Sequence, residues 1–383
     1  MLNKTLRPLL HHLATFLIAL CLFTPQSKAQ LIDRVLENFE KYHNISYTSS
    51  LQNKDLFSDD VFLDTLHALE TLKNKPTYKL KGNVEEDIFD GQKVFKLNYK
   101  DSTYRIGDQA KQSYYYDKSL SYLMAKFNTY MKLGRKAIQL RDSVYKGKSY
   151  FQLKITDLDS IVKDKKIYSI NRLLIDKKTY LPAFYRNDSG GFIDGTDMYL
   201  KVFNEYHFSN FKINRNDLTD LSQIVLPIYF SLEKPKVPKV LLERGVSAPA
   251  LAFVDLKGKA TEISAYNGKV VLLNFTISGC PHCIEAIETL NNLSAKYNNV
   301  DFQILSINPF DDRESILKFN ERFKQDYPTF TSAKNAKEIY RINGYPTFYL
   351  IDTKGEIVKG YEGFSKSIGD LMKEDIANLI EQK

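Results

Sequence analysis

Val270-Val-Leu-Leu-Asn-Phe275, four connecting residues, and Cys280-Pro281-His282-Cys283 form the stretch that decides the fold of the C-terminal part of this chain. The apolar run has no polar alternation, as in a strand covered on both faces. The segment from Cys280 to Tyr297 follows it with Ile284, Ile287, Leu290 and Leu293 at helical spacing. Cys280 therefore stands at the first turn of a helix, where unpaired backbone N–H groups and the positive end of the helix dipole stabilise a thiolate. Thiolate is the form that attacks disulfides. Pro281 loses no hydrogen bond at that position. Cys283 comes about 300° round the helix at about 100° per residue, so the two sulfurs share a side and can bond. His282 places a titratable positive charge beside them. A thiol with a lowered pKa favours the reduced pair and makes its disulfide a better oxidant.

Outward from that point the grammar stays the same. Phe302 to Ile307 reads as a second strand, Ser315 to Gln325 and Ala333 to Tyr340 as helices. Pro346 to Ile351 and Glu356 to Gly360 form a hairpin around Asp352-Thr-Lys-Gly355, and Ser365 to Gln382 is a closing helix. A βαβ unit followed by ββα predicts an α/β layer fold over residues 241–383.

Ahead of it, Glu233-Lys-Pro-Lys-Val-Pro-Lys239 carries two prolines among charges, and residues 233–240 are read as a linker. Residues 30–232 read as one β-rich α+β domain of unassigned function. Helical spacing covers Asp33 to Tyr42 and Val61 to Leu72, the latter through Leu63, Leu66, Leu69 and Leu72. Strand-like runs follow at 78–82, 94–99, 149–155, 167–170, 173–175, 198–203 and 206–208, with turn residues such as Asp90-Gly91 between several of them. The expectation is a curved antiparallel sheet with flanking helices. Few contacts are expected to cross the linker, so 241–383 should fold alone.

Residues 1–29 read as a secretory signal: Lys4 and Arg7, an apolar run from Leu13 to Phe23, then Ser27-Lys28-Ala29 before Gln30. The run is too short for the roughly 20 residues of a bilayer span. Lipid attachment at Cys21 is disfavoured by Leu20, where such a site takes a small residue. The chain is thus expected to be exported, to a periplasm or cell envelope. Removal of 1–29 takes the formal net charge from +8 to +5, a modest excess that calls for no nucleic-acid partner. It also leaves Cys280 and Cys283 as the only cysteines. No cysteine is spent on a structural staple in a compartment where disulfides persist. A zinc site needs four ligands, and His43, His67 and His207 form no ligand-spaced cluster with the pair, so neither a metal nor another bound cofactor is expected. Copper carriage by the two thiolates is the remaining metal alternative.

Residues 245–383 resemble the TlpA-type thiol–disulfide oxidoreductases of the thioredoxin superfamily. The likeness rests on Gly245-Val-Ser-Ala-Pro249, Asp255-Leu-Lys-Gly258, Asn267-Gly-Lys-Val-Val-Leu-Leu-Asn-Phe275, the Cys-Pro-His-Cys and Gly344-Tyr-Pro-Thr-Phe-Tyr-Leu-Ile-Asp352. It implies a thioredoxin fold, a redox-active Cys280–Cys283 pair and a cis bond before Pro346, with Tyr345 offering its backbone to an extended client. It also implies protein thiol or disulfide clients and a redox partner protein. This chain departs from the family at Gly279, where members usually have Trp, and at Ala286, where they often carry a Glu proton relay. Asn274 takes the place of thioredoxin's buried Asp. These departures, with Pro281-His282, tilt the site away from a strong reductant. A peroxiredoxin-like peroxidase is disfavoured because Ile277 and Leu273 stand where it needs Thr or Ser and Pro. The N-terminal domain has a LolA-like likeness, through its helix-then-sheet order and Leu174-Ile-Asp-Lys-Lys-Thr-Tyr-Leu-Pro182. That leaves a second reading open, a carrier whose sheet holds a lipid or protein ligand while the redox domain docks.

Overall fold

The computed structural model describes residues 30–381 except 55–60, 74–75, 109–112, 194–197, 217–220, 222–223, 235–236, 299–300, 332 and 334. The expected signal segment lies outside the described residues, as does part of the expected linker.

The first part begins with helix α1 (Leu31–Phe39), which turns Leu31, Ile32, Val35 and Phe39 inward. Six strands follow: β1 (Asn44–Lys54), β2 (Val61–Thr71), β3 (Thr77–Lys81), β4 (Glu85–Phe89), β5 (Val94–Asn98) and β6 (Thr103–Gly107). Helix α2 (Leu120–Lys132) precedes β7 (Ala137–Tyr145), β8 (Lys148–Val162), β9 (Lys165–Asp176), β10 (Pro182–Phe192) and β11 (Tyr199–Ile213). With the short β12 (Ser231–Leu232), these strands make one twelve-stranded sheet among the described residues, in the order β12-β6-β5-β4-β3-β2-β1-β11-β10-β9-β8-β7. Every pairing is antiparallel except that of β12 with β6. Two meanders thus meet at β1 and β11, with Ile45 opposite Ile213.

Val61 to Leu72 is not the helix its leucine spacing suggests; Val61–Thr71 is β2. Leu66, Ala68 and Glu70 alternate inward, and β1 and β3 supply hydrogen-bonding partners along both edges. Pairing on both sides outweighs a weak helical preference. The helix of this region is α2 instead. Ser119 caps it by accepting the Tyr122 N–H, and Leu120, Leu123, Met124 and Phe127 pack on the sheet. The fully buried Glu70 carboxylate ties α2 to β2, accepting the N–H groups of Leu120 (3.2 Å) and Ser121 (3.1 Å) and the Tyr47 hydroxyl (2.6 Å).

The second part is, among the described residues, a seven-stranded sheet in the order β14-β13-β17-β16-β15-β18-β19. Its strands are β13 (Ala252–Asp255), β14 (Ala260–Glu262), β15 (Val270–Phe275), β16 (Phe302–Ile307), β17 (Thr329–Thr331), β18 (Thr347–Ile351) and β19 (Ile357–Glu362). β15, β16 and β17 run parallel, and β18 runs antiparallel to β15. Helices α3 (Pro281–Lys296), α4 (Arg313–Phe323), α5 (Ala336–Ile339) and α6 (Lys366–Glu381) complete it. β15 is buried throughout. Val271, Leu273 and Phe275 join one core with Tyr340 and Tyr349, while Val270 and Leu272 join another with Ala286, Leu290 and Met372. This is the expected thioredoxin fold, with α3 and α6 over one face.

The boundary between the parts is tied down. The Lys239 N–H donates to Asn343 Oδ1 (2.9 Å), Asn343 Nδ2 returns a bond to Lys239 O (2.8 Å), and Glu233 pairs with Arg105. More tellingly, Leu200, with Ile193 and Met198 at the end of the β10–β11 hairpin, packs on Ile284 and Ile287 of α3 and on Phe319 and Phe323 of α4. The expectation of few crossing contacts fails here. The apolar stripe of α3 is wider than one sheet can cover, so Leu290 and Leu293 face the sheet and the hairpin covers Ile284 and Ile287.

Candidate active site

β15 ends at Phe275, and the chain passes through Thr276–Gly279 to α3. Cys280 is the residue capping that helix, with extended backbone (φ −108°, ψ 112°) and Pro281 at the first helical position. The Cys283 N–H donates to Cys280 Sγ at 3.2 Å. Both thiols are free, and both are buried. The thiol form of Cys280 donates to the Tyr345 carbonyl at 3.3 Å; the thiolate, which has no proton to give, keeps the Cys283 donors. The Tyr345–Pro346 peptide is cis and lies in the loop that enters β18. The structure therefore brings Cys280, Cys283, Tyr345 and Pro346 together.

The two thiols are pushed apart in acidity. The Cys280 pKa falls to about 7, chiefly through the hydrogen bond from Cys283, then through the Cys283 and His282 backbone N–H groups and the His282 charge, all against burial. Burial pushes the Cys283 thiol up, and its hydrogen bond and proximity to Cys280 push it further. Cys280 is thus the more acidic thiol of the pair, and Cys283 the one held protonated by burial.

His282 is exposed, and its Nδ1 lies 3.0 Å from Glu285 Oε2. That hydrogen bond, then the carboxylate's charge, raises the imidazole pKa. Glu285 stands one place from the position of the family's relay, and its partner is His282 rather than Cys283. The i,i+3 spacing of His282 and Glu285 was visible in the sequence and could have indicated this pair.

Other neighbours had no sequence signal. The Thr276 side chain lies against Cys283. Asp311, in the loop after β16, accepts the Ser278 N–H (2.7 Å) and a bond from Asn308 Nδ2 (2.7 Å), joining that loop to the one before Cys280. Beside it Phe310 is 63% exposed, its ring edge-on to Tyr345 at 6.0 Å between centroids. Space is open above Gly279, where a Cβ would meet nothing within 4 Å. Beside the hairpin's contact with α3 lies a cleft of about 660 Å³, lined by Lys163 and Met198 of the sheet domain and by Ile284, Glu285 and Glu288 of α3.

The Redoxin family model matches residues 243–380. Two curated relatives are named thiol-disulfide oxidoreductase ResA. The Geobacillus kaustophilus protein is 32% identical over 146 residues and the Geobacillus thermodenitrificans protein 29% over 144, each alignment spanning 37% of this chain and 79% of the relative. A thiol:disulfide interchange protein from Bacteroides sp., solved in solution, is 26% identical with a TM-score of 0.34, covering 37% of this chain and 91% of that one. The chain belongs to the TlpA-type thiol–disulfide oxidoreductases. Its activity is protein-disulfide oxidoreduction. All of these matches span little more than a third of this oxidoreductase and leave the twelve-stranded sheet domain without a counterpart among them.

Proposed function

We propose that this oxidoreductase exchanges disulfides with protein clients in a cell envelope through Cys280 and Cys283. The observation that carries the reading is Cys280 Sγ at the start of α3, held by the Cys283 N–H and facing the Tyr345 carbonyl. Cys280 thiolate attacks a client disulfide, and a mixed disulfide forms as the client's second sulfur leaves. Cys283 then attacks Cys280 Sγ, closes the Cys280–Cys283 disulfide and releases the client as a thiol. The reverse sequence oxidises a client. His282, its charge supported by Glu285, stabilises the thiolate; Tyr345 and Pro346 align the client backbone beside it. A redox partner protein resets the pair.

Export rests on the signal-like segment 1–29, and the division into 30–232, a linker at 233–240 and 241–383 rests on the two separate sheets. The sheet domain, which braces α3 through Leu200, is assigned placement or recognition rather than chemistry. The test is turnover of insulin by full-length protein. Cys280→Ser should abolish it, and Cys283→Ser should accumulate a mixed disulfide through Cys280. A double variant with wild-type turnover would overturn the assignment.

A further inference from the structure

We propose that this oxidoreductase also rearranges client disulfides through Cys280 alone, because the described residues provide Cys283 with no group to take its proton. The inference rests on the reading that Cys280 is the attacking thiolate.

Closing the Cys280–Cys283 disulfide requires Cys283 to lose its proton first. Cys283 is 4% exposed, and the groups acting on it are the Thr276 side chain, the Ile277 N–H, Cys280 and the phenols of Tyr327 and Tyr345. None accepts a proton at neutral pH. Tyr327 is held well above the ordinary phenol range by burial, and Tyr345 is pushed up to about 12. Among the described residues, neither the end of β15 nor the next turn of α3 presents a base to the thiol. Asn274, two residues before Thr276 on β15 and so on the same face, is a buried amide whose Nδ2 donates to Ser306 Oγ at 3.1 Å. Ala286 holds the inward place in the next part of α3, packed among Leu290 and Leu293. Glu285 is engaged with His282 on the outer side, and Asp311 with Ser278 and Asn308.

Attack by Cys280 has no such obstacle, since its thiolate is already formed near pH 7. Its sulfur bonds to one sulfur of a client disulfide, the client S–S bond breaks, and the electron pair leaves on the second client sulfur. While Cys283 waits, that thiolate attacks another disulfide of the same client. A client thiolate finally attacks the client sulfur of the mixed disulfide. A new client S–S bond forms, and the electron pair returns to Cys280. No electron or proton is gained or lost overall, so no oxidant or reductant is consumed.

The test uses the reduced full-length protein with scrambled ribonuclease, scored by recovered ribonuclease activity, beside insulin reduction. Cys283→Ala should lose no more rearrangement than the roughly tenfold that its less acidic Cys280 costs near pH 7, while losing insulin reduction by about 100-fold or more. In single-turnover experiments on the wild type, the Cys280 mixed disulfide with a labelled peptide should clear about tenfold faster per pH unit between 6 and 8, because hydroxide or solvent must deprotonate Cys283. Asn274→Asp, nearly isosteric, should speed clearance at pH 7 by about tenfold or more and flatten the profile. If that variant does not fold, the wild-type profile decides. A Cys283→Ala protein that forms the mixed disulfide without rearranging ribonuclease overturns the inference, as does clearance independent of pH. A Cys283→Ala protein forming no mixed disulfide overturns the assignment of Cys280 itself.

Discussion

Replacing the neighbours of Cys280 one at a time should rank the forces that make it a nucleophile. With its pKa at about 7 rather than the ordinary 9.0, about half of Cys280 is thiolate at pH 7, against about 1% for an unperturbed thiol. Alkylation by iodoacetamide should therefore run about 50-fold faster at pH 7 than for a thiol of ordinary acidity, before allowing for its lower intrinsic nucleophilicity. The rate should titrate with a midpoint near 7. Because the Cys283 hydrogen bond is the largest cause, Cys283→Ala should raise that midpoint most, by about one pH unit or more. His282→Ala should raise it less, since the imidazole is 62% exposed and its charge is screened. The assay is the pH profile of alkylation of the reduced protein, with the modified residue identified by mass. A wild-type midpoint near 9, or a larger shift for His282→Ala than for Cys283→Ala, would refute the reasoning.

The same depressed pKa has a stability consequence: the unfolded chain holds the Cys280 proton up to about pH 9 and the folded one only to about 7, so the reduced protein should gain stability over Cys280→Ser as pH rises through that window, a gain lost again as pH falls through 7. Urea melts of the two proteins across pH 6–10 would register it, and parallel profiles would contradict it. Leu200→Asp should cost about 2 kcal/mol or more in chemical denaturation by breaking the hairpin's seat on α3, and residues 241–383 alone should fold yet self-associate through bared Ile284, Ile287 and Phe323. Glu70→Ala should cost about 2–4 kcal/mol by calorimetry, since it strands the first N–H groups of α2 and the Tyr47 hydroxyl. Phe310→Ala should raise KM for protein clients several-fold while leaving oxidised glutathione turnover unchanged, because only a polypeptide reaches that exposed ring.

The C-terminal domain was legible because its signals are local. A buried parallel strand is apolar at every position, as β15 is, and the helix after it starts at a Pro beside the first Cys. The sheet domain was legible only as β-rich. β1 reads Asn-Ile-Ser-Tyr-Thr-Ser-Ser-Leu, too polar to stand out, although Ile45, Tyr47 and Leu51 are buried. β2 carries leucines three apart, a spacing that fits a helix until both edges are seen to be paired. α2 went unread although Ser119 and the Leu120, Leu123, Met124, Phe127 stripe mark it. The Cys-Pro-His-Cys pair was evident, whereas Phe310, Asp311 and Thr276 reach the site through loops, and nothing in their order along the chain announces that. The seat of Leu200 on α3 joins residues more than 80 positions apart, beyond the reach of any periodicity.

The junction of β1 with β11 sets a schedule for biosynthesis. A ribosome delivers Ile45 long before Ile213, its partner across the seam. Until then β1 can pair only with β2, and its other edge stays unsatisfied while more than 150 further residues are made. Each meander can zip from its own hairpins, but joining them closes one of the longest loops in the domain, the kind of step that slows folding and leaves an edge open to wrong partners. Over that interval the free edge of β1 is the place where a wrong strand can pair.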